Sequence, residues 1–351
     1  MSGGVDSLRT AILLQEQGHD VFGIHMRFLP GDDEATAGIL AERENLLREL
    51  AEKCRIPLLI VDLRRQFESL VIQPFVEAYL KGLTPNPCVT CNPGVKFGLL
   101  LQEALKHGAD RIATGHYARI IPPETSGNGR YQLARAADTS RDQSYFLTGL
   151  SQDQLAHALF PLCKLTKKET QAWAGQKGLD RLITEDSQEI CFIPSGKYTE
   201  FLRSRTGEAL SARPGPVLDL DGNLLGGHKG IHSYTVGQRR GLGIPSTEPY
   251  YVVSIEPETN TVRVGRSKDL FLETFTVSNV NWVSIPCPEE PISCQVRIRN
   301  LHKPSPAEVT PLSETMARVR FMDPQRAVTP GQAAVFYSDA LLLGGGIIQR
   351  Q

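Results

Sequence analysis

The sequence predicts an α/β fold: a doubly wound parallel-sheet domain over residues 1–203, a small β-rich module over 204–270 and an antiparallel β-barrel over 271–351. Three textures carry that prediction. Up to about residue 203, short apolar runs alternate with longer stretches of helical periodicity, as a parallel sheet with crossover helices requires. Between Thr206 and Gly243, nine glycines interrupt a chain with almost no helical period. Beyond about Phe271, short alternating segments such as "ISCQVRIRN", "ARVRF" and "AAVFY" are set apart by Pro, Gly, Ser and Asp, the rhythm of antiparallel strands.

Within the first region, "HDVFGIHM" (19–26), "IPLLIVDL" (56–63) and "RIATGHYA" (111–118) are expected as strands. "ENLLRELAEKC" and "VKFGLLLQEALKHGA" carry apolar residues at helical spacing, and Thr166 with Glu169 makes a capping box before a further helix. At 351 residues the chain has room for two or three domains. Its formal charge of -1 excludes a globally basic nucleic-acid binder, so any such surface must be local. Seven cysteines accompany no apolar export segment and no run of membrane-spanning length, which predicts a reducing cytoplasm and no membrane partner. There, a close pair such as Cys88 and Cys91 serves catalysis or metal binding rather than stapling. Cys54, Cys163, Cys287 and Cys294 lie in or beside apolar stretches and read as packing residues.

"SGGVDS" (Ser2 to Ser7) opens directly into the helical run "LRTAILLQEQG". A glycine loop at a helix amino terminus points backbone N–H groups at an anion, and the helix field adds to them. Gly3 and Gly4 permit close approach, Ser2 and Ser7 can donate hydroxyl hydrogen bonds, and Asp6 can hold a magnesium ion. The hexapeptide resembles the pyrophosphate loop of the ATP pyrophosphatase superfamily, whose members activate an oxygen as an adenylate and release pyrophosphate. That resemblance implies ATP with magnesium, held by Ser2, Gly3, Gly4, Val5, Asp6 and Ser7.

"HM" at His25, "TPNPCVTCN", "KFG", "TGHYAR", "DQSYFL", "DSQEICFIP", "GQRRGLGI" and "TPGQ" follow in order up to residue 332. Together they resemble the bacterial tRNA-specific 2-thiouridylases. The resemblance implies 2-thiolation of the wobble uridine of glutamate, glutamine and lysine tRNAs, with ATP and with sulfur passed as a persulfide from a donor or relay protein. It makes Cys91 the nucleophile and Cys191 the persulfide carrier. Such chemistry needs one soft nucleophile to deliver sulfur and a second thiol to resolve the linkage. It further implies that Met26 and Gly115 meet ATP, that Asn86, Pro87 and Cys88 meet the target base, and that His116, Arg141, Asp142, Gln143 and Gln332 meet tRNA.

Cys88 stands where many family members have aspartate. Three readings stay open: a ligand, with Cys91 and Cys191, of a 4Fe-4S cluster that delivers sulfide; a resolving thiol; or a bystander lining the base pocket. For RNA, Arg239 and Arg240 lie in a glycine-flanked loop, while Arg297 and Arg299 are expected on one face of a strand, followed by His302 and Lys303. A pyrophosphate loop normally follows an apolar strand, so a further apolar segment is expected upstream of Met1. Two rivals remain: a ligase that adenylates a small metabolite, which has no need of Cys91 and Cys191, and an RNA-binding protein without catalysis.

Overall fold

The computed structural model describes residues 1–29, 34–179, 190–193, 197–211 and 213–350; residues 186–189 and 194 of the "DSQEICFIP" motif lie outside the described residues. The first region contains two parallel strand pairs flanked by helices. β1 (Gly23–Arg27) lies parallel to β2 (Leu58–Asp62), joined by the helix Glu34–Lys53. β3 (Ile112–Ala113) is followed by a hairpin, β4 (Ala118–Ile121) and β5 (Gln132–Arg135), and then by β6 (Ala158–Leu159), which runs parallel to β3. The run 111–118, expected as one strand, is thus split, because the chain leaves the sheet after Ala113 to bring Gly115 against the glycine loop.

The central module is a four-stranded sheet of β7 (Gly215–Leu218), β8 (Leu224–His228), β9 (Tyr251–Glu256) and β10 (Thr261–Gly265), in the order β8-β7-β10-β9. Val217, Val252, Val262 and Val264 form its small apolar core. The carboxyl-terminal strands are β11 (Phe271–Trp282), β12 (Ile292–Arg297), β13 (Ser305–Ser313), β14 (Met316–Arg326), β15 (Ala333–Ser338) and β16 (Leu341–Ile348). They run in the order β11-β14-β13-β12-β15-β16, and pairing of β11 with β16 closes the barrel. Alternation along β14 buries Ala317, Val319 and Phe321 against Val277, Val309 and Phe336 while intervening residues face solvent.

The barrel is not separate from the first region. The first residues of β16 pair with β5 (Leu341 with Ala134, Leu342 with Leu133), so the hairpin β4–β5 extends the barrel's sheet. Asn281 donates to the carbonyls of Thr148 and Leu150 at 2.9 Å each, and Arg130 donates to the carbonyl of Trp282 at 3.0 Å. This docking brings the barrel's loops to the cysteine segment.

Candidate active site

Local sequence explains the shape of the cysteine segment. Asn86, restricted to extended backbone by the proline that follows it, caps the one-turn helix Pro87–Cys91 by accepting from the Cys88 N–H at 3.1 Å. The turn leaves Cys88 exposed and buries Val89 and Cys91. The chain then continues as a π-helix over Asn92–Leu99, in which N–H groups reach back five residues. A Cβ on Gly98 would lie 2.7 Å from the Pro93 carbonyl oxygen, so the glycine of "KFG" makes room for this wide turn. With more residues per turn than an α-helix, such a turn swings a residue five positions on less far round the axis than an α-helix would. Lys96, five after Cys91, thus stays nearer the cysteine turn than in an α-helix.

The electrostatics agree with that placement. Burial pushes the Cys91 thiol up to about 11 and the Cys191 thiol up to about 12, the charges of Cys91 and Cys88 adding to the latter. Burial also raises Cys88. Solvent reaches Cys88 and Cys191, yet protein surrounds their thiols closely enough to disfavour the thiolate. In all three cases the Lys96 ammonium pulls the other way. Lys96 is half-buried and has no hydrogen bond or ion pair among the described residues, so its charge is free to act on sulfur. His116 is held well below its usual range, first by burial and then by Lys96, and is neutral at physiological pH. Its Nδ1 lies 2.7 Å from Thr114 Oγ1, and its ring lies among Phe97 and Phe160.

Thiolate, not thiol, attacks. Replacing Lys96 by Met is expected to slow alkylation of Cys91 by iodoacetamide about three- to tenfold at a given pH, the effect of losing an ammonium contribution of about 1 kcal/mol in half-solvated surroundings. The profile of rate against pH should move to higher pH, and Lys96→Arg should restore it. Rates by mass spectrometry across pH 7 to pH 10 check this (the range is set around the roughly 8.5 of a free cysteine); superimposable profiles would remove Lys96 from the sulfur site.

Cys88, Cys91 and Cys191 influence one another's ionisation, but among the described residues no three His, Cys, Asp or Glu side chains gather into a metal-binding set. The cluster reading of these cysteines gains no support from their geometry, and all three are free thiols.

The motif Ser2–Ser7 runs into the helix Val5–Glu16, with Gly3 at φ 87° and Gly4 as N-cap. Ser7 Oγ donates to the Gly4 carbonyl at 2.9 Å and lies 3.2 Å from Ser2 Oγ, which folds both hydroxyls inward. Among the described residues no side chain caps the helix, so its first N–H groups are left for an anion, which fits the triphosphate of ATP. Asp6 does not fit a free magnesium ligand. Its Oδ2 accepts from Lys167 Nζ at 2.7 Å and its Oδ1 from Tyr117 Oη at 3.0 Å. The metal would be carried by the nucleotide's phosphates, as magnesium usually is. Gly115 packs on this loop: a Cβ there would lie 2.7 Å from Asp6 Cβ. Met26, half-buried on β1, packs against the main core.

The residues expected at tRNA divide. Arg141 is exposed. Gln143 faces inward, its Oε1 accepting from the Tyr117 N–H at 3.1 Å. Asp142 is buried and Arg297 largely so, and they pair with each other at 3.0 Å, with side chains 2% and 12% exposed. The expected shared face of Arg297 and Arg299 is not formed, because β12 ends at Arg297 and Arg299 lies exposed in the turn beyond, donating to the Arg326 carbonyl. Arg239 and Arg240 are exposed in their loop. Gln332 Nε2 donates to the Thr84 carbonyl at 2.8 Å.

Lys96 and Lys167 are the residues that sequence reasoning passed over. Lys96 stood in view inside "KFG", and only the π-turn gives it a role. Lys167 lies inside the capping box Thr166–Glu169, where a solvated first-turn lysine is the ordinary expectation, and 161 residues separate it from Asp6.

The chain matches three family models: a tRNA methyl transferase HUP domain over residues 1–195, a tRNA methyl transferase PRC-barrel domain over 200–266 and an aminomethyltransferase beta-barrel domain over 272–348. It is 45% identical to the tRNA-specific 2-thiouridylase MnmA of Chloroflexus aggregans, covering 100% of this chain and 97% of that one. The same-named proteins of Roseiflexus castenholzii and Geotalea uraniireducens are each 44% identical, over 100% and 99% of this chain and 98% and 93% of theirs. A solved structure, the U34-tRNA thiolase NcsA from Methanococcus maripaludis with its 4Fe-4S cluster, aligns at TM-score 0.33 and 18% identity over 60% of this chain and 66% of that one, too distant to inform the site. With full-length identity of this order and all three domain models in register, the chain belongs to the tRNA-specific 2-thiouridylase family of the ATP pyrophosphatase superfamily.

Proposed function

We propose that this protein converts the wobble uridine, position 34, of tRNA into 2-thiouridine at the expense of ATP. One observation carries the chemistry: Cys91 and Cys191, a hundred residues apart, share a site with the Lys96 ammonium, unpaired among the described residues, in the same domain as a helix amino terminus that no described side chain caps and that suits phosphate. The loop Ser2–Ser7 binds the triphosphate, with Met26 and Gly115 towards the nucleoside, and the flipped uracil enters beside Asn86, Pro87 and Cys88. Uracil O2 attacks the α-phosphorus and pyrophosphate leaves. The terminal sulfur of a Cys191 persulfide then bonds to C2, and AMP departs with the former O2. The Cys91 thiolate attacks the Cys191 sulfur of the resulting S–S bond, which frees 2-thiouridine and leaves a Cys91–Cys191 disulfide for a reducing thiol to reopen.

The raised pKa of the Cys91 and Cys191 thiols suits this order. Burial holds both mainly as thiols at rest. The small thiolate fraction of Cys191 attacks the outer sulfur of the donor's persulfide, the donor cysteine leaves as a thiolate, and the Cys191 persulfide so formed is the nucleophile towards C2. The substrates are the glutamate, glutamine and lysine acceptors, the donor is a persulfide enzyme or relay protein, and the reaction takes place in the cytoplasm. No described helix is long and apolar enough to cross a membrane.

Anaerobic incubation with magnesium-ATP, glutamate tRNA and a persulfide donor, followed by nucleoside mass spectrometry, tests the reading. The expected product is 2-thiouridine at position 34, with AMP and pyrophosphate in equal amounts, from protein free of iron. ATP to pyrophosphate exchange without tRNA would point instead to a ligase of the same superfamily.

A further inference from the structure

The segment just ahead of the nucleophile's helix is gripped from two sides. Arg350, beyond β16, donates to the Lys81 carbonyl. Gly82, at φ 66°, lies against Ile255 of the central module, whose Cγ2 would be 2.6 Å from an added Cβ. Thr84 is the centre of the grip. Its N–H donates to the Pro330 carbonyl at 2.9 Å, its carbonyl accepts from Gln332 Nε2 at 2.8 Å, and its hydroxyl lies 3.4 Å from Thr235 Oγ1 of the central module. Gly331 closes the contact, since a Cβ there would lie 2.9 Å from the Thr84 nitrogen.

The chain immediately after Thr84 is stiff. Pro85 and Pro87 have fixed φ and hold their preceding residues extended, and Asn86 is tied into the cap of the helix that carries Cys91. A displacement at Thr84 is therefore passed on to Cys91 rather than absorbed between them.

We propose that the barrel loop Thr329–Gln332 positions the nucleophile's helix through Thr84, with Gln332 as a positioning residue. The functional part rests on the thiouridylase reading. By this linkage the two β modules, which the reading sets against tRNA, share one anchoring point with the base pocket.

Gln332→Ala and Gly331→Ala in the full chain test it. At saturating tRNA the single-turnover thiolation rate of each should fall at least about tenfold, since misplacing a reacting group by about 1 Å costs up to about a hundredfold. Affinity of Gly331→Ala for tRNA, read by filter binding, should stay within about twofold. In free protein without tRNA or ATP, alkylation of Cys91 should quicken about fivefold as the buried turn opens more often. Unchanged rate and unchanged alkylation in both variants overturn the proposal. So does a Gln332→Ala whose sole defect is tRNA affinity, which would make Gln332 an RNA contact. A wild-type protein that never thiolates tRNA would defeat the thiouridylase reading instead, and the alkylation rates would still decide for or against the grip on Thr84.

Discussion

Replacing Cys91 by Ser is expected to abolish tRNA thiolation while tRNA binding stays within about twofold, and Cys191→Ser should do the same. An alcohol at either position has no accessible anion near neutral pH and cannot carry sulfane sulfur, so loss should exceed about a thousandfold, the scale seen when a nucleophile is removed from a working catalytic set. The two variants should stop at different points. Cys191→Ser, treated with a persulfide donor, should acquire no sulfur that survives to tRNA. Cys91→Ser should accept sulfur on Cys191, transfer it to the activated base and remain covalently joined to the tRNA through an S–S bond that dithiothreitol cleaves. A gel of tRNA–protein adduct with and without reductant separates these outcomes. Wild-type turnover by either variant would remove that cysteine from the mechanism.

The second large effect concerns stability. Asp142 on the first domain and Arg297 on β12 form a buried pair, and the Asp142 carboxylate also accepts from the Ser144 N–H and hydroxyl at 3.1 Å each. The guanidinium lies near the rings of Tyr145 and Tyr337, and Tyr337 Oη is 3.1 Å from Ser144 Oγ. Removing one partner leaves the other charged and out of water, which costs about 3–5 kcal/mol, whereas removing both for apolar groups costs much less. Arg297→Ala and Asp142→Ala should each lower stability by about that amount, and Asp142→Leu with Arg297→Met should recover most of it. Urea unfolding of the four proteins measures the coupling. Single variants as stable as wild type but about tenfold weaker for tRNA would return both residues to the RNA surface that the family resemblance assigns them.

How far the sequence could be read depended on the range of the interaction. β2 falls inside the apolar run 56–63, β1 overlaps the run 19–26 and ends one residue past it, and Thr166 with Glu169 forms the capping box, because those signals are local. The π-turn was hidden: Val95, Leu100, Leu101 and Ala104 sit at spacings that suit an ordinary helix, and nothing in their periodicity marks a five-residue hydrogen bond. Asp6 with Lys167 and Asp142 with Arg297 were invisible for another reason, since each joins charged residues more than 150 positions apart. The two cysteines were found by motif. Their shared electrostatic neighbour, Lys96, needed coordinates.

The pairing of β5 with β16 also sets an order of events during synthesis. The open edge of β5 finds its partner about two hundred residues later in the chain. Until β16 is made, that edge offers unpaired N–H and C=O groups to any other strand. Long-range closures of this kind are slow and come late. The loop that grips Thr84 arrives with the same closing strands, so by the proposed linkage a nascent chain displays Cys88 and Cys91 before the barrel can align them.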